Sequence, residues 1–243
     1  ITYNNIYKDI IQKFTSLLWV MVDLRKFKDK KNALVMSGGV VKASSWHIGV
    51  ALALEELGFT LKSNHHSSNT EISTYVGSSA GAMIGLYFAS GIRPMDIIDA
   101  QIGKNTSKLR PVTYRDMLYL KKQFYKSKSN NYLSLFHDFP KPISMFLKPI
   151  FNISGLFSTY GFLKYIKNNV ISSNNFDDYN ADLFITATQL DHSRKCIFSK
   201  YKYPNPQHDS TAHYYTNIPV AEAVAASMSV PPFYSPFPIQ NKN

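Results

Sequence analysis

One pattern limits the fold more than any other: twice, a short β-forming run stops at glycine and gives way to a helical repeat. The first is Asn32–Gly39, NALVMSGG. It precedes Trp46–Phe59, WHIGVALALEELGF, in which Val50, Ala53, Leu54 and Leu57 fall on one helical face and Gly58 marks a C-terminal stop. The second is the run Ile72–Val76, ahead of a helix rich in small residues expected over Gly77–Ser90, with another helix over Pro94–Ile102. Further on, DLFITATQL and KCIFSKY alternate like strands across a turn at Asp191–Arg194. PVAEAVAASMS then sets Ala221, Val224, Ala225 and Met228 on one face, and VPPFYSPFPI leads out extended. Strands that alternate with helices predict an α/β layered sheet.

The flanking segments read differently. Residues 1–31 place Tyr3, Ile6, Ile10, Phe14, Leu17, Met21 and Leu24 at three- and four-residue steps, which predicts an amphipathic helix. Residues 104–154 are basic, aromatic and broken by Pro140, Pro142 and Pro149, and read as a helical and loop insertion within one domain spanning 32–243. The apolar run Leu17–Val22 is far short of the roughly 18 residues a membrane span needs.

Charge and cysteine usage narrow the function. Lys and Arg total 27 against 16 Asp and Glu, a net +11, which points to anionic partners such as phospholipid headgroups. Nucleic acid is not expected, because no helix carries a one-sided basic face interleaved with aromatics. The single Cys196 excludes an intrachain disulfide framework and favours a reducing, intracellular setting, while the basic balance and the amphipathic first helix suit peripheral membrane contact. The pair His65 and His66 reads as solvated loop, and no metal or cofactor is expected.

The chemistry is sought at the second glycine corner. Gly77-Ser78-Ser79-Ala80-Gly81 fits G-x-S-x-G, in which a strand turns sharply into a helix and holds the central serine at a strained, exposed apex. Ser79 is that central residue, and Ser78 flanks it. The N–H groups that open the following helix favour an anion beside the serine. The upstream turn at Gly38 and Gly39 offers further backbone donors, and neither nucleotide-binding pattern, G-x-x-x-x-G-K-[ST] nor G-x-G-x-x-G, is present.

Three segments together resemble the patatin-like phospholipases. LVMSGGVVKASSWHIGVALALEELG is similar to that family's glycine-rich oxyanion segment, VGSSAGAMIGLYFASG to its nucleophile elbow, and AVAASMSVPPFYSPFPI to its A-x-x-A-S-x-x-x-P-x-x-F-x-P segment. The resemblance implies a three-layer α/β/α sandwich around a mostly parallel sheet, and cleavage of fatty acyl esters of membrane phospholipids or related lipids. It casts Ser79 as nucleophile, Gly38, Gly39 and Val40 as the oxyanion hole, Gly77, Ser78, Ala80 and Gly81 as the elbow, and Lys42 as the supporting basic residue.

The sequence departs from the pattern in three places. Val40 stands where a third glycine is usual, although a β-branched residue disfavours φ > 0, and Ala43 stands where another glycine is usual. The family's second catalytic residue is an aspartate in a D-G-[GA] motif, yet no Asp-Gly pair occurs here, so that aspartate is expected beyond Asn243 in a longer protein. Asp177, Asp178, Asp182, Asp191 and Asp209 lie in the wrong contexts. Two other readings stay open: an inactive lipid-binding or scaffold protein on the same fold, and an α/β-hydrolase esterase drawing its histidine from His137, His192, His208 or His213.

Overall fold

The computed structural model describes residues 26–63, 69–104, 109–120, 155, 157–192, 194–202 and 211–239. Strand β1 (Asn32–Met36) leads through Ser37, Gly38 and Gly39 into helix α1 (Val40–Glu56). A two-residue strand β2 (Thr60–Leu61) follows, then β3 (Glu71–Ser78), α2 (Ala80–Ala89) and α3 (Pro94–Gln101). Next come the short α4 (Tyr114–Met117), α5 (Tyr160–Asn169) and a 3₁₀ turn at Phe176–Asp178. Strands β4 (Asp182–Gln189), β5 (Arg194–Phe198) and β6 (Ala212–Tyr215) precede α6 (Val220–Ser227).

The sheet runs β1-β3-β4-β5-β6, with β2 also on β3, and only the β4–β5 pair is antiparallel. This is the α/β fold with a central, mostly parallel sheet that the alternation of strands and helices implies. Its register decides where the chemistry can sit. Met36 lies opposite Gly77, and Gly77 opposite Ile185, so the carboxyl ends of β1, β3 and β4 fall side by side. In open parallel sheets, ligand sites gather at those ends.

Helix α2 is the element pressed hardest on the sheet, and all ten of its residues are buried. Its small residues explain why. A β-carbon on Gly77 would collide with the Gly81 carbonyl, and one on Gly81 with the Met36 carbonyl, so only glycine lets helix and strands approach this closely. Gly85 is looser, since a β-carbon there would meet the flexible end of Met36 at 3.1 Å. The core beneath α2 includes Tyr75, Leu183, Ile185 and Phe198, each at most 2% exposed. Helices α1, α2 and α3 all end in left-handed glycines, Gly58, Gly91 and Gly103, whose N–H groups bond back to Glu55, Phe88 and Ala100.

Several boundaries differ from the expectations. Helix α1 begins at Val40 rather than near Trp46, because the glycine turn is tight enough for the helix to start directly after Gly39. Its buried face carries His47, Ile48 and Ala51, whereas Ala53 is exposed, so the stripe is centred nearer His47 than the Val50, Ala53, Leu54 and Leu57 face expected. Gly77 and Ser78 belong to β3, not to the helix that follows. The amphipathic helix expected over 1–31 lies outside the described residues up to position 25, and 27–30 form turn and bend. Most of the 104–154 insertion and the pair His65 and His66 also lie outside them. Helix α5 and strand β6 were not anticipated by the alternation of residues.

Gly81→Ala is expected to lower the unfolding free energy by more than about 3 kcal/mol, because rigid backbone faces the new methyl. Gly85→Ala is expected to cost about 1 kcal/mol or less, and thermal unfolding of the two variants side by side measures the contrast.

Candidate active site

The β3–α2 corner holds Ser79 at φ 52°, ψ −114°, a left-handed backbone that a non-glycine residue adopts only under constraint. Ser79 is partly exposed, and it lines an open cleft together with Gly38, Gly39 and Val40. The two glycine corners thus meet as neighbours. A β-carbon on Gly38 would lie 3.2 Å from Ser79 Cβ and 3.8 Å from its Oγ, so the first turn passes directly against the serine side chain.

Two helices start beside this serine. Gly39, at φ 145°, caps α1, and the first N–H groups of any helix lack intrahelical partners. Helix α2 starts at Ala80 and adds its own positive end beside Ser79. Two helix N-termini therefore flank one hydroxyl, an arrangement that favours an oxyanion there.

Residues distant in sequence fix this geometry. The Ser79 N–H donates to Ser227 Oγ at 2.7 Å, and Ser227 Oγ donates to the Thr186 carbonyl at 2.6 Å. Ser227 is the last residue of α6 and is buried, so it ties the elbow to both α6 and β4. His47 Nε2 lies 2.9 Å from the Ser37 carbonyl. A carbonyl can only accept, so Nε2 carries the proton and clamps α1 to the glycine turn. Neither role was read from the sequence, although Ser227 is the serine of the A-x-x-A-S segment and His47 the histidine that follows the glycine-rich run.

The family model described as Patatin-like phospholipase matches residues 34–243. The chain belongs to the patatin-like phospholipase family. No curated protein matches it in sequence.

The departures from the family pattern now have a structural form in this patatin-like chain. Val40 sits at φ 54°, the left-handed region that a third glycine would enter without strain. Ala43 packs so near Gly39 that a β-carbon on residue 39 would lie 2.8 Å from its own. Valine holds this left-handed conformation at a cost of about 1–2 kcal/mol. Lys42 is exposed on the first turn of α1 and does not line the cleft.

The other candidates are set apart from Ser79. His192 is exposed in the β4–β5 turn and His213 sits on β6 opposite Cys196; neither lines the cleft, and His137 and His208 lie outside the described residues. Asp182 is held by Lys200 and Tyr201, and Asp177 and Asp178 stand in the 3₁₀ turn. Asp191 lines the cleft without a hydrogen bond to Ser79, and Asp209 is not among the described residues. Burial pushes the Cys196 thiol up from its ordinary pKa, which keeps it protonated and unreactive. Among the described residues no group of three or more His, Cys, Asp or Glu could hold a metal ion.

Ser227→Ala leaves the Ser79 N–H and the Thr186 carbonyl without their partner and is expected to reduce stability by about 1–3 kcal/mol, with Ser227→Thr restoring part of it; denaturant melts measure both. Val40→Gly is expected to raise the unfolding free energy by up to about 1 kcal/mol by removing the left-handed penalty, read as an increase in Tm.

Proposed function

We propose that this patatin-like protein is a serine acyl hydrolase of membrane lipid esters. The observation that carries the reading is the strained backbone at Ser79, held against Gly38 and between two helix N-termini. Ser79 Oγ attacks the ester carbonyl carbon while its proton passes to a carboxylate that is not among the described residues. The carbonyl oxygen becomes an oxyanion facing the N–H groups of Gly38, Gly39 and Val40. Collapse breaks the ester C–O bond, the alcohol leaves with the proton, and the acyl group stays on Ser79. Water then attacks the acyl-serine, the same carboxylate takes its proton, and the fatty acid departs as Ser79 is restored.

The cleft suits such a substrate. Apolar Met83, Ile84 and Phe162 line it along with Ser79, which provides a surface for an acyl chain. The net charge of +11 favours approach to anionic bilayers, a contact that salt would weaken.

A second reading rests on a specific observation: among the described residues no carboxylate or imidazole hydrogen-bonds to Ser79, as an inactive lipid-binding protein on this fold would allow. One experiment divides the two. The wild-type protein is expected to be labelled covalently by a fluorophosphonate and to release fatty acid from phospholipid, and Ser79→Ala to do neither. Equal labelling of both proteins removes Ser79 as the nucleophile, whereas absence of label on both, with lipid binding retained, favours the binding protein.

A further inference from the structure

We propose that the mouth of the Ser79 cleft is the surface by which this protein sits on an anionic lipid bilayer, with Tyr114, Leu118, Leu120, Tyr160, Val230 and Phe233 entering the interface and Arg115 and Lys164 meeting its phosphates. The proposal rests on the lipid-ester reading above and adds the face, the orientation and the residues.

Three separate stretches of chain form this surface, and backbone bonds stitch them together. The Leu118 N–H reaches the Tyr114 carbonyl, Leu120 forms a bridge with Phe157, and the Phe157 N–H donates to the Phe233 carbonyl at 3.0 Å. The Ser158 N–H donates to the Tyr119 carbonyl at 2.8 Å, and the Tyr234 hydroxyl donates to the Met117 carbonyl at 3.0 Å. A surface braced in this way is a fixed platform, not a set of loose side chains.

What it presents is unusual for a face turned to water. Tyr114 is 80% exposed, Leu120 70% and Phe233 68%, with Leu118, Tyr160 and Val230 also exposed. Isolated apolar residues on a surface mean little, but a contiguous group at the entrance of a cleft marks a docking site. Leu118, Tyr160, Val230 and Phe233 line the cleft itself, while Tyr114 and Leu120 lie beyond it.

The charges identify the occupant. Segments 109–120, 157–169 and 228–239 carry four cations, Arg110, Arg115, Lys164 and Lys167, against one carboxylate, Asp116; Lys167 lies 3.9 Å from Glu222 of α6, and exposed Asp191 also lines the cleft, which leaves Arg115 and Lys164 as the cations for the interface. Arg110 neutralises Asp116 through a pair of hydrogen bonds at 2.7 and 3.0 Å. Burial pushes the Asp116 carboxyl up, but the bonds from Arg110 and Thr113 outweigh it and hold the group below its ordinary range, so it stays ionised and paired. Lys164 lies over the rings of Tyr119 and Tyr160, its Nζ 5.5 and 5.1 Å from their centroids, a cation set among aromatics at the rim. Within these three segments, tyrosine, leucine and phenylalanine with interspersed cations, and Asp116 already paired, match the boundary between anionic headgroups and acyl chains. A protein partner seated here would close the cleft. A bilayer would instead deliver the ester into it.

The test is co-sedimentation of the full chain with phosphatidylcholine vesicles, with and without phosphatidylglycerol, at low and high salt. The fluorophosphonate labelling rate and a thermal melt are taken in parallel. Wild-type protein is expected to prefer the anionic vesicles and to lose binding as salt rises. Tyr114→Ser with Leu120→Ser is expected to reduce partition to both kinds of vesicle by about tenfold while the melt and the labelling rate stay unchanged. Arg115→Gln with Lys164→Gln is expected to remove most of the preference for anionic vesicles and flatten the salt dependence. Vesicle binding that survives both double variants overturns the proposal. If the serine pair unfolds, Phe233→Ser takes its place, and unchanged binding by that variant overturns the proposal equally. Ser79→Ala separates this surface from the chemistry: it is expected to bind vesicles as the wild type does. Loss of labelling in every protein sinks the nucleophile and leaves the surface standing.

Discussion

The passage of α2 over the ends of β1 and β3 is the constraint on which the rest depends. Two glycines, Gly77 and Gly81, bring helix and strand backbones closer than any β-carbon would permit. A strand that must enter a helix at that distance cannot turn gradually, so one residue absorbs the whole change of direction. That residue is Ser79, and its left-handed backbone follows from the packing around it. The same register that sets Met36 beside Gly77 brings the first glycine turn against the serine. The backbone geometry at Ser79 and the packing of the core here share one cause.

Strain of this kind persists only where neighbours over-determine the backbone. Helix α2 is buried along its whole length, the Ser79 amide is bonded to Ser227, and Ser227 is bonded in turn to β4. On the other side of the site, His47 ties α1 to the carbonyl of Ser37 and steadies a turn in which Val40 occupies a glycine conformation. Two non-glycine residues with positive φ, Ser79 and Val40, therefore line one cleft. Both strained residues are thus held in place by bonds from distant elements.

How much of this was legible in the sequence depends on how local the cause was. The corner at Ser79, the turn at Gly38 and Gly39, and strands β1, β3, β4 and β5 followed from glycine placement and residue alternation, because each depends on backbone freedom within a few positions. The start of α1 did not. Nothing nearby in the sequence states that the helix begins at Val40, since tertiary contact holds that valine in an unfavourable region. Strand β6 was missed because AHYY is too short to show a period, whereas helix α5 was legible, since YGFLKYIKNN carries Phe162, Leu163 and Ile166 on one helical face that packs against α4 and α6.

By itself the sequence determined the α/β class, the family to which the chain belongs and the serine at its sharpest corner, because glycine spacing and hydrophobic period act over short stretches of chain. Only the tertiary structure decided that Ser227 would hold the Ser79 amide, that His47 would clamp the glycine turn, and that aromatic residues from three distant stretches would ring one cleft. Those partners are separated by as many as 148 positions along the chain. Sheet register and helix packing bring them together, and a periodicity that spans one or two turns carries no record of either.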